Sequence, residues 1–216
     1  MNPVATPSLS TRERILDAAE HLFAQHGFAG TSMRQLTAAA GVNLAAVNYH
    51  FGSKDKLIAE VFQRRLDTMY QARLAALKRA LATTPPQLED VLRAFVEPAL
   101  DLIHDGGSAF LRVMAHAYAE TNEPLWRFLS ERYGHVLREF GLALAQCLPD
   151  ADRDTLHLRL DFLAGALTYA MSDLGLPRGA DRAATREDQM RYQRIADELI
   201  VFSAAGFRAA FLPKPR

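Results

Sequence analysis

The sequence predicts an all-α protein of about nine helices, an N-terminal three-helix head followed by a larger helical body. Apolar residues recur three and four positions apart along most of the chain. The helix starts carry recognisable capping residues, and no segment sustains the period-two alternation of a strand.

Residues 1–9 contain two prolines, one serine and no periodicity, and read as a disordered arm. Ser10 and Glu13 then have capping-box spacing ahead of Ile15, Ala19, Leu22 and Phe23, and Gly27 ends this first helix. A second capping box, Ser32 with Gln35, opens a short helix that carries Leu36 and Ala40 and stops at Gly41. Asn43 caps a third helix, from about Leu44 to His50, before Phe51-Gly52 breaks it. Ser53 caps a long fourth helix with Leu57, Ile58, Val61, Phe62, Leu66 and Met69 on its apolar side, running to about Leu81.

The breaker Thr83-Thr84-Pro85-Pro86 separates the helical segments that follow, near 87–105, 108–120, 123–147, 152–174 and 187–211. Asp105-Gly106-Gly107, Thr121-Asn122, Pro149 and the run from Gly175 to Ala180 divide them, and Pro98 should kink the first. The working division is arm 1–9, head 10–56 and body 57–216.

With 216 residues, 49% of them hydrophobic, the chain can bury a proper core. No stretch approaches eighteen uninterrupted apolar residues and no basic segment leads into an apolar run, so a soluble cytoplasmic protein without a membrane partner is expected. Cys147, the single cysteine, has no partner for a disulfide or metal site and reads as a small core or interface residue. Net charge is zero, yet residues 1–80 carry 10 Lys and Arg against 6 Asp and Glu, while residues 81–216 carry 15 against 19. The asymmetry points to an anion-binding head on an acidic body. Histidines 104, 116, 135 and 157 stand without HExxH or paired carboxylate spacing, and no Gly-rich phosphate loop occurs, so neither an enzyme nor a metal or cofactor is expected.

Three short helices joined by a tight turn at Gly41-Val42 have the layout of a helix-turn-helix. On the third helix Val47 and Phe51 face inward. Ala45 and Ala46 are small enough to let the backbone approach base edges, Asn48 carries an amide able to pair with adenine, and Leu44 or Ala45 can meet a thymine methyl. Tyr49 and His50 suit phosphate contacts that fix register. The cap residues Ser32 and Asn43 complete this set.

The run LTAAAGVNLAAVNYHFGSKDKL, Leu36 to Leu57, resembles the signature of TetR-type transcriptional regulators, and the match extends over about residues 11–57. It includes the small residues before Gly41, the Gly-Val turn, Tyr49-His50-Phe51 and a lysine opening the fourth helix; Asn48 departs from it, where many relatives carry tyrosine. The resemblance implies a homodimer that binds double-stranded operator DNA and is released by a small effector. It adds Thr31, Arg34, Lys54 and Lys56 as DNA contacts, Lys54 lying at a helix N-terminus where backbone N–H groups and an ammonium can share a phosphate.

The resemblance also implies that the body's helices enclose a ligand cavity, for which Phe95, Phe110, Met114, Tyr118, Trp126, Phe162 and Tyr169 are the candidate lining. It implies further that the last two helices form a four-helix dimer interface. Leu156, Leu160, Leu163, Leu167 and Met171, then Ile195, Leu199, Phe202, Phe207 and Phe211, are stripes that fit either an interface or a protomer core. GVNLAAVNYHFGSK and the segment Phe110 to Phe140 are similar to the PsrA-type fatty-acid-responsive branch, which implies a long-chain fatty acid or acyl-CoA effector, with Arg112 or Arg159 as its cationic partner. Drugs or other metabolites are the alternative effectors.

Overall fold

Each of the four N-terminal start signals closes as a hydrogen-bonded cap in the computed structural model, which describes residues 9–104, 108–120, 122–171 and 185–210. Ser10 and Ser32 form complete capping boxes with Glu13 and Gln35; Asn43 accepts from the Ala46 N–H at 2.9 Å and Ser53 from the Lys56 N–H at 3.2 Å. Among the described residues there are nine helices and no strand. They are α1 (Thr11–His26), α2 (Met33–Ala40), α3 (Leu44–Phe51), α4 (Lys54–Ala80), α5 (Leu88–His104), α6 (Ser108–Ala119), α7 (Glu123–Cys147), α8 (Arg153–Tyr169) and α9 (Arg186–Arg208). Residues 1–8 of the expected arm, the breaks at Asp105-Gly106-Gly107 and Thr121, the run from Gly175 to Ala180, and Phe211 lie outside the described residues.

The head and body are joined by α4. Its N-terminal half buries Leu57, Ile58, Val61 and Phe62 against the head, and its C-terminal half packs on α5 and α7. One apolar core runs through both parts. Charged ties fix α4 in place on either side. From α1, Glu20 is buried and accepts from Arg64 at 2.6 Å and from Arg65 at 2.7 Å, while Asp17 accepts from Arg64 at 2.6 Å. From α7, Arg132 makes a two-pronged bond to Asp67 at 2.9 and 2.8 Å and the Tyr133 hydroxyl donates to the same carboxylate at 2.8 Å. These bonds hold the Asp67 carboxyl below the ordinary aspartate range.

The α8 stripe resolves in favour of the protomer core, and the α9 stripe divides, with Phe207 buried, Ile195 and Leu199 half-buried and Phe202 exposed. Leu156, Leu160, Leu163, Leu167 and Met171 are buried, as are Ala196, Ile200, Ala204 and Phe207, whereas Phe162, Tyr169, Val201 and Phe202 are exposed on the outer sides of the two helices. Cys147 is half-buried, its thiol donating to Pro86 O at 3.5 Å, and burial raises the thiol pKa. Helix α5 continues through Pro98. No described helix is long and apolar enough to cross a membrane.

Candidate nucleic-acid interface and ligand cavity

Helix α3 is short, and its phase divides it cleanly. Val47 and Phe51 are buried, while Leu44, Ala45, Asn48 and Tyr49 are exposed on an arc of about 140°. Tyr49 is 87% exposed, its ring in edge contact with His50 at 5.2 Å. With Leu44 also exposed on the arc, Tyr49 contributes nothing to the core and is free to meet a partner. Ser32, Arg34, Asn43 and Lys56 are exposed around this arc, and Ala46 and His50 are half-buried at its edge. The hydroxyl of Ser32 and the Oδ1 of Asn43 serve their own helices as caps, leaving the Asn43 amide N–H groups to face outward partners.

Two expected DNA contacts are corrected. Thr31 is 1% exposed, and its hydroxyl hydrogen is spent between Gly27 O at 2.8 Å and Leu22 O at 3.2 Å, so it pins the α1–α2 turn and presents nothing to a phosphate. Lys54 is half-buried and its ammonium donates to Phe28 O, tying the start of α4 to that same turn. Burial keeps Thr31 from a phosphate, and the Phe28 carbonyl, which also accepts from the Thr31 N–H at 3.3 Å, draws the Lys54 ammonium inward.

The α1–α2 turn is also where the body meets the head. Glu120, just past α6, accepts from the backbone N–H groups of Phe28 and Ala29, each at 2.9 Å. His116, one turn earlier, lies 3.7 Å from the same carboxylate. Gly27 has φ 69° and ψ −179°, and a Cβ there would stand 2.1 Å from Glu120 Oε1. The seat for Glu120 therefore exists because residue 27 has no side chain. Aromatic contacts connect the same parts: Phe23 to Phe28 edge-on at 5.3 Å, Phe28 to Phe62 tilted at 6.3 Å and Phe62 to Phe110 edge-on at 5.3 Å.

Phe110 forms part of the wall of a cavity of about 440 Å³ enclosed by α4, α5, α6, α7 and α8. Five of the expected lining residues are there: Phe95, Phe110, Met114, Tyr118 and Trp126. Phe162 and Tyr169 are not. Each lies two positions, or 200°, from the inward leucines Leu160 and Leu167, which puts them on the outer side of α8, 64% and 57% exposed. Tyr169 instead borders a surface groove with Phe202 of α9.

The cation in this cavity is also not one the sequence suggested. Arg159 caps the end of α9, donating to Phe207 O at 2.8 Å and to Ala209 O and Ala210 O, and Arg112 is not among the wall residues. Arg73 of α4 is in the wall and only 5% exposed. Its Nε donates to Phe95 O at 2.8 Å, in the turn of α5 where Pro98 has removed an N–H, and its guanidinium lies 3.8 Å from the Phe95 ring centroid and 5.3 Å from that of Tyr70. No described carboxylate forms an ion pair with it. Burial lowers its pKa to about 10, which leaves it charged at neutral pH. Position 73 follows Met69 by four and Leu66 by seven, so an arginine on the apolar stripe of α4 was the signal available in the sequence. Among the described residues no group of His, Cys, Asp and Glu is arranged to hold a metal ion.

Residues 15–61 match the family model described as bacterial regulatory proteins, tetR family, and residues 93–206 match the one described as tetracyclin repressor-like, C-terminal domain. The HTH-type transcriptional repressor AcnR of Corynebacterium efficiens is 29% identical over 85 residues, 38% of this chain and 45% of that protein. The chain spans 45%, 33% and 32% of the lengths of the first curated relatives it matches. Among solved structures, a TetR-like transcriptional regulator from Rhodococcus sp. RHA1 superposes with a TM-score of 0.63 at 22% identity, covering 95% of this chain and all (100%) of that one. The structure of AibR in complex with isovaleryl coenzyme A and operator DNA gives a TM-score of 0.63 at 19% identity, covering 89% of this chain and 97% of that one. These two likenesses show a shared fold.

Proposed function

The chain belongs to the TetR family of bacterial regulatory proteins, and on that premise we propose that it is a dimeric repressor of transcription, released from operator DNA by a small apolar effector. Both matched models describe regulators, not enzymes. The observation that carries the reading is the exposed arc of α3, with Tyr49 bare and small residues beside it, on a head whose other helices are cap-locked. Asn48, Ala45 and Leu44 read base edges; Arg34, Tyr49 and Lys56 hold phosphates.

Two heads need two protomers. Phe162, Tyr169, Val201 and Phe202 supply an exposed apolar face across α8 and α9, and its burial against a second copy makes the operator an inverted repeat. The cavity takes the effector, a long-chain fatty acid or its CoA thioester. Its walls are mostly apolar and aromatic, and an alkyl chain gains ~0.8 kcal/mol per buried CH₂, so affinity rises with chain length. The effector loosens DNA only by binding the incompetent spacing of the heads more tightly than the competent one. Two connections carry that preference: α4, which borders both cavity and head, and α6, which lines the cavity at Phe110 and ends on the turn held by Glu120. Isovaleryl coenzyme A bound by AibR supports an acyl-type effector.

Substitution separates base reading from phosphate holding. Asn48→Ala is expected to relax preference at one base pair by ~1–3 kcal/mol, while Lys56→Ala weakens all sequences alike and flattens the salt dependence. Binding of both variants to a panel of single-base operator variants at several salt concentrations distinguishes them; equal loss of specificity in the two would contradict the division.

A further inference from the structure

A buried guanidinium without a carboxylate is costly, because desolvation of a charge is offset only by an opposite charge or a full set of acceptors. Arg73 has the Phe95 carbonyl and the faces of the Phe95 and Tyr70 rings, which leave the charge itself unneutralised. Among the described residues Asp161 is the one acid in the same wall; it is exposed, on α8, and is not ion-paired with Arg73. The cation thus faces a cavity whose other surroundings are leucine, methionine and aromatic carbon, with hydroxyls from Ser130 and Thr168.

We infer that the cavity is a receptor for a free carboxylate on an apolar chain, the carboxylate seating on Arg73 and the chain lying against α6 and α7. This rests on the reading of the cavity as the effector site, and it chooses within that reading: a fatty acid presents an anion at the end of its chain, whereas an acyl-CoA presents an uncharged thioester there. The fork of Arg73 offers a carboxylate a charge-assisted bond that an ester or alcohol of the same length cannot accept with equal strength. Such bonds are about twice as strong as neutral ones, and the difference amounts to ~10- to 100-fold in affinity.

The molecule contains its own reporter. Trp126 is the single tryptophan, lines the cavity and lies against Tyr118 with ring centroids 5.2 Å apart. Its emission reads occupancy without DNA. Full-length protein is titrated below micellar concentration with dodecanoate, methyl dodecanoate, dodecanol and dodecanoyl-CoA, and the same series is run on Arg73→Leu and Arg73→Lys. Dodecanoate is expected to bind about tenfold or more tightly than the three others, Arg73→Leu to erase that advantage while still binding the neutral compounds, and Arg73→Lys to keep part of it. Equal binding of acid, ester and alcohol by the wild-type protein overturns the assignment of Arg73 and leaves the cavity reading standing. Preference for the CoA thioester also overturns it. If none of the four changes Trp126 emission, the cavity reading fails and this inference with it. The wild-type comparison decides the matter even where Arg73→Leu does not fold.

Discussion

Replacing Gly27 with alanine is expected to lower the unfolding free energy by roughly 3 kcal/mol and to weaken operator binding in the same protein. Two costs combine. The backbone at φ 69° and ψ −179° occupies a region used almost only by glycine, worth ~1–3 kcal/mol for an L side chain. The new Cβ would also stand 2.1 Å from Glu120 Oε1, and moving that carboxylate away gives up its bonds to the Phe28 and Ala29 N–H groups. Gly41 is the comparison. It too has positive φ, at 63°, but with ψ 40° it is ordinary left-handed helix, and its Cβ would find only Arg14 Nη1 at 3.8 Å, so Gly41→Ala should cost only about 1 kcal/mol. Urea denaturation of both variants, and of Gly27→Ala in a Glu120→Ala background, separates strain from clash. If the clash matters, removing Glu120 first makes Gly27→Ala cheaper. Equal costs at positions 27 and 41 would show that the turn adapts freely.

Glu20→Ala is expected to cost about 3 kcal/mol, the lower end of the range for removing one partner of a buried ion pair. Glu20 is buried on the apolar side of α1, and both its oxygens are used by Arg64 and Arg65. The two arginines are each about a quarter exposed, and Arg64 retains Asp17, so water and that second carboxylate soften the loss. Since these bonds fix α1 on α4, the variant should also bind operator more weakly at temperatures where it remains folded. Thermal unfolding, followed by operator binding well below the midpoint, tests both parts. A loss under about 1 kcal/mol would place Glu20 among ordinary surface pairs.

The sequence made the architecture legible because helix starts and stops are local: Ser10, Ser32, Asn43 and Ser53 need only their own next turn to act as caps. The exposed face of α3 was legible for the same reason. Contacts between segments distant in sequence were not. Thr31 and Lys54 look like phosphate donors until the carbonyls of the Gly27–Gly30 turn are seen to take them, and Glu120 looks like a surface acid until that turn's N–H groups are seen beneath it. Phe162 and Tyr169 have the residue type of a cavity wall, but helical phase relative to Leu160 and Leu167 places them outside. The charge of Arg73 suggests surface, while its register on α4 suggests core.

The claim that joins these parts is that filling the cavity changes the grip of α3 on DNA. Operator fragments selected from genomic DNA, labelled and bound to the protein, are titrated with dodecanoate while operator anisotropy and Trp126 emission are followed in one sample. The expected result is an inverted-repeat fragment held by two protomers and released over the same concentration range in which Trp126 responds. A Trp126 response that saturates with operator affinity unchanged, or full-affinity binding of one protomer to a single half-site, would contradict it.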